Sequence, residues 1–521
     1  MSISDTQPLS TLDAGFLHCE SPEMPMHVAS VHLLELPAGY DGDFFQDVKA
    51  HMASRLHLAP IFTRKLALMP FDLANPVWVE DEDVDLEHHV RHIVLPRPGT
   101  WQQLERVVGR LHSQLLDRSR PLWEMTVIEG LQTGHPVLYA KAHHAGLDGQ
   151  SGVIMASSIF DTEPSGRVIK SPRPRLRSNR YQLGVAELAG AALSNTARQY
   201  MGLVKSMPGL ARAFQKLLVP ERDADGKRRW LSEGAWLAPR TPFNVSVTNQ
   251  RSWAARSVSL AVAKAIGKAH GATVNDVALT LVSGAMRRYL KDYDALPAKS
   301  MIAAVPVSLR EEGDDSATNQ VSMVTMTLAS NVKDPLERLK VIASASKRTK
   351  TAMMSAVSAL PMDIPMLGAP WLVSGLASLY GRSRLADNLP QPVNVVVSNV
   401  PSAKVPLYFA GARMRNYYPC SIPSHGVALN ATLHSYNGQL EFGLIACRRA
   451  VPDVADLADH LLAEYRLLCE RAGAVGGPAL VEGASQSDPQ AAQAAVRPHA
   501  DRRTKKEAPA RTVAARRMRA V

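Results

Sequence analysis

Leu138-Tyr139-Ala140-Lys141-Ala142-His143-His144-Ala145-Gly146-Leu147-Asp148-Gly149 is a short apolar run that stops at two adjacent histidines, two glycines and a carboxylate. Residues 136 to 143 or 144 read as a strand, with a partner strand at 123–128 just before it. Strand period two puts Leu138, Ala140, Ala142 and His144 on one face, and Tyr139, Lys141 and His143 on the other. The two histidines therefore point to opposite sides and do different jobs. Gly146 and Gly149 permit a tight turn out of the strand, and residues 149–160 read as the helix that follows. Asp148 lies across that turn, better placed to brace the loop than to touch a substrate. A buried carboxylate of this kind requires a cationic partner. An imidazole, with an ordinary pKa of ~6.5, suits removal of a proton from a hydroxyl near neutral pH. His144 is accordingly the candidate general base, with Nδ1 expected to bond a local carbonyl and Nε2 left free.

Outward from this stretch the chain alternates helix and strand. Leu104, Val107, Val108, Leu111 and Leu115 follow helical spacing, so 103–118 reads as an amphipathic helix. Residues 164–179 are rich in Pro, Ser, Gly and Arg and mark a linker, and 185–218 is a long helical stretch. The second half opens with a helix at 260–270. Thr273 can cap a helix over 275–293, and Asp334-Pro335 starts another. Strands are expected at 301–308, 321–328, 393–398, 427–433 and 440–446, and a helix at 453–471. The pattern is α/β with mixed sheets.

A chain of 521 residues exceeds the ~250–300 residues at which single cores stop growing, so two domains are expected. With 46% hydrophobic and 21% charged residues it reads as globular. The first twenty residues do not read as a signal peptide. The most apolar stretch, 362–381, is broken by Asp363, Pro365 and Pro370, short of the ~20 apolar residues of a spanning helix. Cys19, Cys420, Cys447 and Cys469 are far apart, which argues against a zinc site or disulfide framework and suits a reducing cytosol. The formal charge of +11 is mostly a tail: from Arg497 onward nine basic and two acidic residues give +7. That tail, low in apolar periodicity, is expected to be disordered and either solvated or held at an anionic lipid surface. The body lacks a basic stripe with interleaved aromatics, so nucleic acid is not an expected partner.

H-H-x-x-x-D-G at a strand-to-helix turn, together with its surroundings, resembles the bacterial wax ester synthase/diacylglycerol acyltransferase family. The matching pieces are Leu9-Ser10-Thr11-Leu12-Asp13 with Phe16-Leu17, Pro25-Met26-His27-Val28, Pro121-Leu122-Trp123-Glu124 and the histidine motif itself. They continue with Thr273-Val274-Asn275-Asp276-Val277, Pro306-Val307-Ser308-Leu309-Arg310, Ser398-Asn399-Val400-Pro401 and Ser435-Tyr436-Asn437-Gly438. These keep family order over nearly all of the expected folded chain.

The resemblance implies two chloramphenicol-acetyltransferase-like domains joined by a long helical crossover, with the active site in the tunnel between them. The expected boundaries are 1–165 for the N-terminal acyltransferase domain, 166–245 for linker and crossover, 246–475 for the C-terminal domain and 476–521 for the basic tail. It implies transfer of a long-chain acyl group from acyl-CoA, a substrate rather than a cofactor, to diacylglycerol or a long-chain alcohol. His144 would be the base, with His143 supporting the acyl or alcohol end, Asp148 bracing the loop and Gly149 making the turn. Arg310 is suggested as the partner of Asp148. Asn275 and Ser398 are candidate oxyanion donors, although Asn at a helix start more often caps it. Trp123 is expected to pack beneath the histidine strand. The expected station is cytoplasmic, peripheral to the inner membrane or to lipid inclusions.

The sequence departs from the family pattern at Asn244-Val245, Thr318-Asn319, Ser402-Ala403 and Cys447, which puts loop geometry and substrate preference in doubt but removes no proton-transfer group. His88 and His92 have the i,i+4 spacing of helical metal ligands, but the stretch reads as extended and lacks H-E-x-x-H, so no metal site is expected. The acidic run 80–85 reads as a solvated loop. The Met-rich 353–371 stretch reads as core, tunnel wall or lipid-facing surface. Two other readings stay open: a condensation-type enzyme acting on carrier-bound substrates, and a catalytically silent lipid-surface binding protein.

Overall fold

The computed structural model describes residues 7–9, 11–67, 75–147, 151–170, 221–222, 228–229, 237–308, 321–357, 379–381, 383–400, 402–403 and 405–473. Asp148, Gly149, Arg310, the expected crossover at 185–218 and the tail at 476–521 lie outside them, as does most of 353–371.

Two six-stranded mixed sheets organise the chain. In the first, the spatial order is Tyr408–Phe409, Ala412–Cys420, His27–Glu35, Val137–His143, Trp123–Glu129 and Val90–Val94. All neighbours there are antiparallel except the last pair. The second sheet runs Arg251–Ser259, Gln439–Cys447, Leu429–Tyr436, Val395–Val400, Ile302–Ser308 and Val321–Thr327. Its three central strands are parallel and the outer ones antiparallel.

The first sheet contains two strands from the second half of the chain, and both sheets lie within one compact unit. Boundaries at 165 and 246 therefore follow the order of the chain but not its packing. The strand 412–420 pairs with 27–35, with one register shift between Met414 and Asn416, and it also approaches the strand 439–447 of the second sheet. A Cβ on Gly443 would stand 1.8 Å from the Pro419 carbonyl oxygen, so only glycine lets these two strands come so close.

The helix expected at 103–118 is Trp101–His112. Thr100 and Gln103 form a reciprocal capping box at its start, and Leu104, Val107 and Val108 are buried. It ends early because the Ser113 hydroxyl bonds back to the Gly109 carbonyl at 2.7 Å and accepts the Arg251 N–H at 3.1 Å. Leu115 is consequently exposed and Leu116 buried instead. This helix fills the space between the sheets, with Tyr139, Trp253, Tyr418 and Ile445 in the same core. Leu138, Ala140 and Ala142 face a different core with Phe44, Val48 and Met52. The histidine strand thus separates two cores, as its period-two pattern requires.

In the second half, Thr273 and Asp276 form the cap of the helix Val274–Asp292. That helix packs with Val454–Arg471 beneath the second sheet. Asp334 accepts the Leu336 and Glu337 N–H groups at the start of Pro335–Val357. The 86–94 segment, read as extended, makes one helical turn, Leu86–His89, before the strand begins. Asp85 caps that turn, and His88 and His92 end up on different elements. His89 stacks on Trp123 at 4.4 Å, and Trp123, expected beneath the histidine strand, stands beside it opposite Ala142. Among the described residues no helix is long and apolar enough to cross a membrane.

Candidate active site

His143 ends its strand and His144 opens a single 3-10 turn, His144–Gly146. The His143 ring accepts the Ala145 N–H at Nδ1, 3.0 Å. A nitrogen that accepts a backbone N–H carries no proton, so Nε2–H donates to Glu20 Oε2 at 3.1 Å. Both ring nitrogens are thereby engaged, and the residue is fully buried. His143 does not line the cavity described below. Expected at the acyl or alcohol end, its ring stands here in the turn that carries His144.

Glu20 is the hub of this turn. Its Oε2 also accepts the Met26 N–H at 3.0 Å, while Oε1 takes Arg118 at 2.8 and 3.1 Å. Met26 in turn accepts the His144 N–H through its carbonyl at 2.9 Å. Burial raises the Glu20 carboxyl pKa, but the His143 and Met26 hydrogen bonds and the Arg118 charge outweigh it and hold the group low. The carboxylate stays ionised and ties the His143 ring to Met26, whose carbonyl holds the His144 N–H.

His144 itself stacks on Phe16, with centroids 3.9 Å apart and planes within 16°. Burial lowers its pKa to about 4, outweighing the contact with its own carbonyl that raises it, and His143 adds a smaller electrostatic push downward. The ring is therefore neutral at pH 7. Nδ1 is fully buried and has no hydrogen-bond partner of ordinary geometry, so the expected bond to a local carbonyl is reduced to that contact. His144 lines a cavity of about 980 Å³. With Nδ1 fully buried, Nε2 is the nitrogen left to serve it.

The cavity lies between the halves of the chain. The first-half wall is mostly apolar, with Val28, Ala140, Ala142, Leu147, Met155 and Phe160 beside Ser30 and Ser157. The second-half wall is mixed, with Ser398, Ser402, Thr432 and His434 among Val400, Leu407, Pro419 and Cys420. Thr162, Glu163, Gly166 and Arg167, at the junction with the segment read as a linker, line one edge of the cavity. Asp161 at this rim is held by Arg55 at 2.6 Å, both buried.

Of the sequence-derived candidates, His144 and Ser398 meet in this cavity. Asn275 does not line it: it is half-buried in the first turn of the helix that Thr273 caps. Asp148, Gly149 and Arg310 are outside the described residues. Among the described residues no cluster of three or more His, Cys, Asp or Glu is placed to hold a metal ion. His92 bonds Glu129 at 2.5 Å instead. Glu20, Arg118 and His434 were missed by sequence reasoning, and Phe16 entered it only as part of a family match. Glu20 and Arg118 are 98 residues apart, and no local pattern announces such a pair.

Residues 9–278 match the wax ester synthase/diacylglycerol acyltransferase catalytic domain, and 317–468 match the C-terminal domain of the same enzymes. A Mycobacterium tuberculosis protein that carries the name of a diacylglycerol O-acyltransferase is 38% identical over 459 residues, covering 87% of this chain and 97% of its own. The O-acyltransferase WSD of Acinetobacter baylyi is 33% identical over 470 residues, covering 88% and 96%. The solved wax ester synthase/diacylglycerol acyltransferase of Marinobacter aquaeolei VT8 superposes with a TM-score of 0.64 at 31% identity, over 90% of this chain and all of that one.

Proposed function

The chain belongs to the wax ester synthase/diacylglycerol acyltransferase family, and from that premise we propose that it transfers a long-chain acyl group from acyl-CoA to diacylglycerol, a long-chain alcohol, or both. The observation that carries this reading is a neutral imidazole presenting one nitrogen to a cavity of about 980 Å³ with one largely apolar wall. That volume is at the upper end of the ~300–1,000 Å³ typical of ligand pockets. Family membership replaces the carrier-dependent reading, and the open cavity at His144 favours catalysis over a silent binding role.

The reaction follows from the geometry. Nε2 of His144 accepts the hydroxyl proton as the oxygen bonds to the thioester carbon. The tetrahedral oxyanion then collapses, the C–S bond breaks, and the departing thiolate takes the proton from the imidazolium. No covalent acyl-enzyme and no cofactor are needed. General-base assistance contributes about 10²–10⁴-fold, and one oxyanion donor roughly 3–4 kcal/mol. Alignment of two bound substrates, worth up to ~7–11 kcal/mol, supplies much of the rest. Ser398, in the same cavity, is the candidate oxyanion donor. The Asp148–Arg310 pair remains our assignment for the brace of the loop, with Gly149 in its turn. If it is correct, reversing both charges restores activity lost in either single reversal.

The test is free-thiol release from palmitoyl-CoA with hexadecanol or a diacylglycerol. Release that requires the acceptor and disappears in His144→Ala supports the reading. Release that ignores the acceptor or persists in the variant refutes it. Because both substrates partition into lipid, we place the reaction at a cytoplasmic lipid surface, with the tail's net charge of +7 as the electrostatic support. Co-flotation with anionic but not neutral vesicles is the expected result.

A further inference from the structure

The cavity at His144 joins a second hollow that the reaction above does not use. Between them stands the helix Ser151–Ile159. Gly152, Met155 and Ala156 line the cavity, whereas Ile154 and Ser158 line the hollow, as helical spacings of three and four residues require. Ser157 and Arg167 line both, so the two spaces meet there. The hollow measures about 570 Å³ and is bounded on its far side by Val168-Ile169-Lys170.

Charge sets this junction apart from the rest of the lining. Arg167 is the one Lys or Arg among the described residues that line the cavity. Lys170 joins it in the hollow, where no described lining residue is acidic. Arg167 is fixed from behind: Nη2 donates to the Ser158 carbonyl at 2.8 Å, and Nε lies 3.7 Å from Asp161. Asp161 is already held by buried Arg55, so it offsets only part of the Arg167 charge. The Arg167 side chain is 45% exposed, and its Nη1 bonds no described residue. Lys170 is exposed; its carbonyl accepts the His57 Nε2–H at 3.1 Å, and its ammonium bonds no described residue. Glu163, also exposed, lines the cavity side of the same edge. A pre-positioned guanidinium beside an ammonium is suited to phosphate oxygens.

Of the two substrates only the acyl donor is an anion. Acyl-CoA carries a diphosphate and a third phosphate, whereas diacylglycerol and long-chain alcohols are neutral. The lengths match. His144, Ala142 and Ala140 line the floor at alternate positions, which spans roughly 13 Å at ~3.3 Å per residue. Phe160 packs on His32, whose strand partner is Leu138, so the far edge is one pair further, roughly 20 Å from His144. From the thioester sulfur to the two diphosphate phosphorus atoms are about thirteen and fifteen bonds, roughly 15 and 18 Å at ~3.5 Å per three bonds. The Arg167 and Lys170 side chains span what remains. A hydrocarbon chain gains nothing from these cations. Resting on the acyltransferase reading, we infer that Arg167 and Lys170 hold the phosphates of acyl-CoA where the hollow meets the cavity, so that the donor enters from this edge.

The experiment uses the full chain in nonionic detergent, with no anionic lipid present. It compares palmitoyl-CoA with palmitoyl-pantetheine, which ends before the phosphates, and reads the ratio of their kcat/KM values in thiol release. Lys170→Glu should lower that ratio about tenfold, and Lys170→Gln about threefold. Glu163→Gln removes the acid at the same edge and should raise the ratio about twofold, a direction that no folding defect produces. A lipid headgroup offers the same phosphate chemistry, so Lys170→Glu is also floated with anionic vesicles and should match the unaltered chain. Lost flotation with an unmoved ratio would give these cations to the lipid surface and overturn the inference. A ratio unmoved by Lys170→Glu overturns it in any case. No acceptor-dependent release by the unaltered chain from either donor would instead overturn the acyltransferase reading, and this inference with it.

Discussion

Replacing Glu20 separates its role as a clamp from its role as a charge. Its two oxygens serve different partners: Oε2 holds His143 and Met26, and Oε1 holds Arg118. Glu20→Gln keeps one acceptor oxygen and turns the other into a donor. Were the amide nitrogen to sit at Oε2, it would face two N–H groups in a site where the side chain is 3% exposed. At Oε1 it faces only Arg118, whose side chain is 36% exposed and can turn to water. The second orientation wins, so Gln keeps His143 and Met26 in place. Its cost is one charge-assisted contact, about 1.5–3 kcal/mol at most and less for a half-exposed partner. Glu20→Ala loses everything and leaves two buried donors unpaired, at roughly 3–5 kcal/mol. The His144 backbone then loses its anchor through Met26, and displacement by ~1 Å is enough for about a 100-fold fall in rate. Glu20→Gln should therefore stay within about tenfold of the unaltered kcat, and Glu20→Ala fall about 100-fold, at unchanged acyl-CoA KM. Acceptor-dependent thiol release, alongside thermal melting of each variant, checks this. An Ala variant with full kcat, or a Gln variant as impaired as Ala, would refute the clamp.

Four further outcomes are expected. Phe16→Ala removes the ring 3.9 Å from His144 and should lower kcat about tenfold, by loss of orientation, with little change in melting temperature. Ser398→Ala should lower kcat about 10²–10³-fold if its hydroxyl serves the oxyanion, and an unaffected rate assigns that task elsewhere. The pH profile follows from burial. His144 and His434 have folded pKa values near 4, and His32 and His112 near 3, all below the ordinary 6.5. The unfolded chain thus binds more protons between about pH 4 and 6.5, so melting temperature should rise with pH across that window. The acid limb of kcat/KM should fall near pH 4, and a limb at 6.5 would contradict a desolvated base. Gly443→Ala sets a Cβ 1.8 Å from the Pro419 carbonyl and should cost at least about 1–3 kcal/mol or abolish folding, read by denaturant unfolding.

Local chemistry carried a good deal of this protein. Alternation in 137–143 determined that the histidines face opposite sides, because strand period is fixed by backbone geometry alone. Thr273 and Asp334 announced helix starts because capping is satisfied within a turn. The same reasoning misjudged the end of the helix at His112, where the Ser113 hydroxyl is committed to Arg251 from the other half. It also missed the strands 27–35, 251–259 and 412–420, whose pairing is decided by partners far along the chain. The sequence by itself determined that the two imidazoles stand on different faces, since the residue order alone sets the face. Only the tertiary structure decided what holds the His144 ring and what it faces: Glu20 and Arg118 meet across 98 residues, and His434 reaches the cavity from a strand of the other half. Such contacts depend on which distant segments are packed together, and no short-range spacing records that.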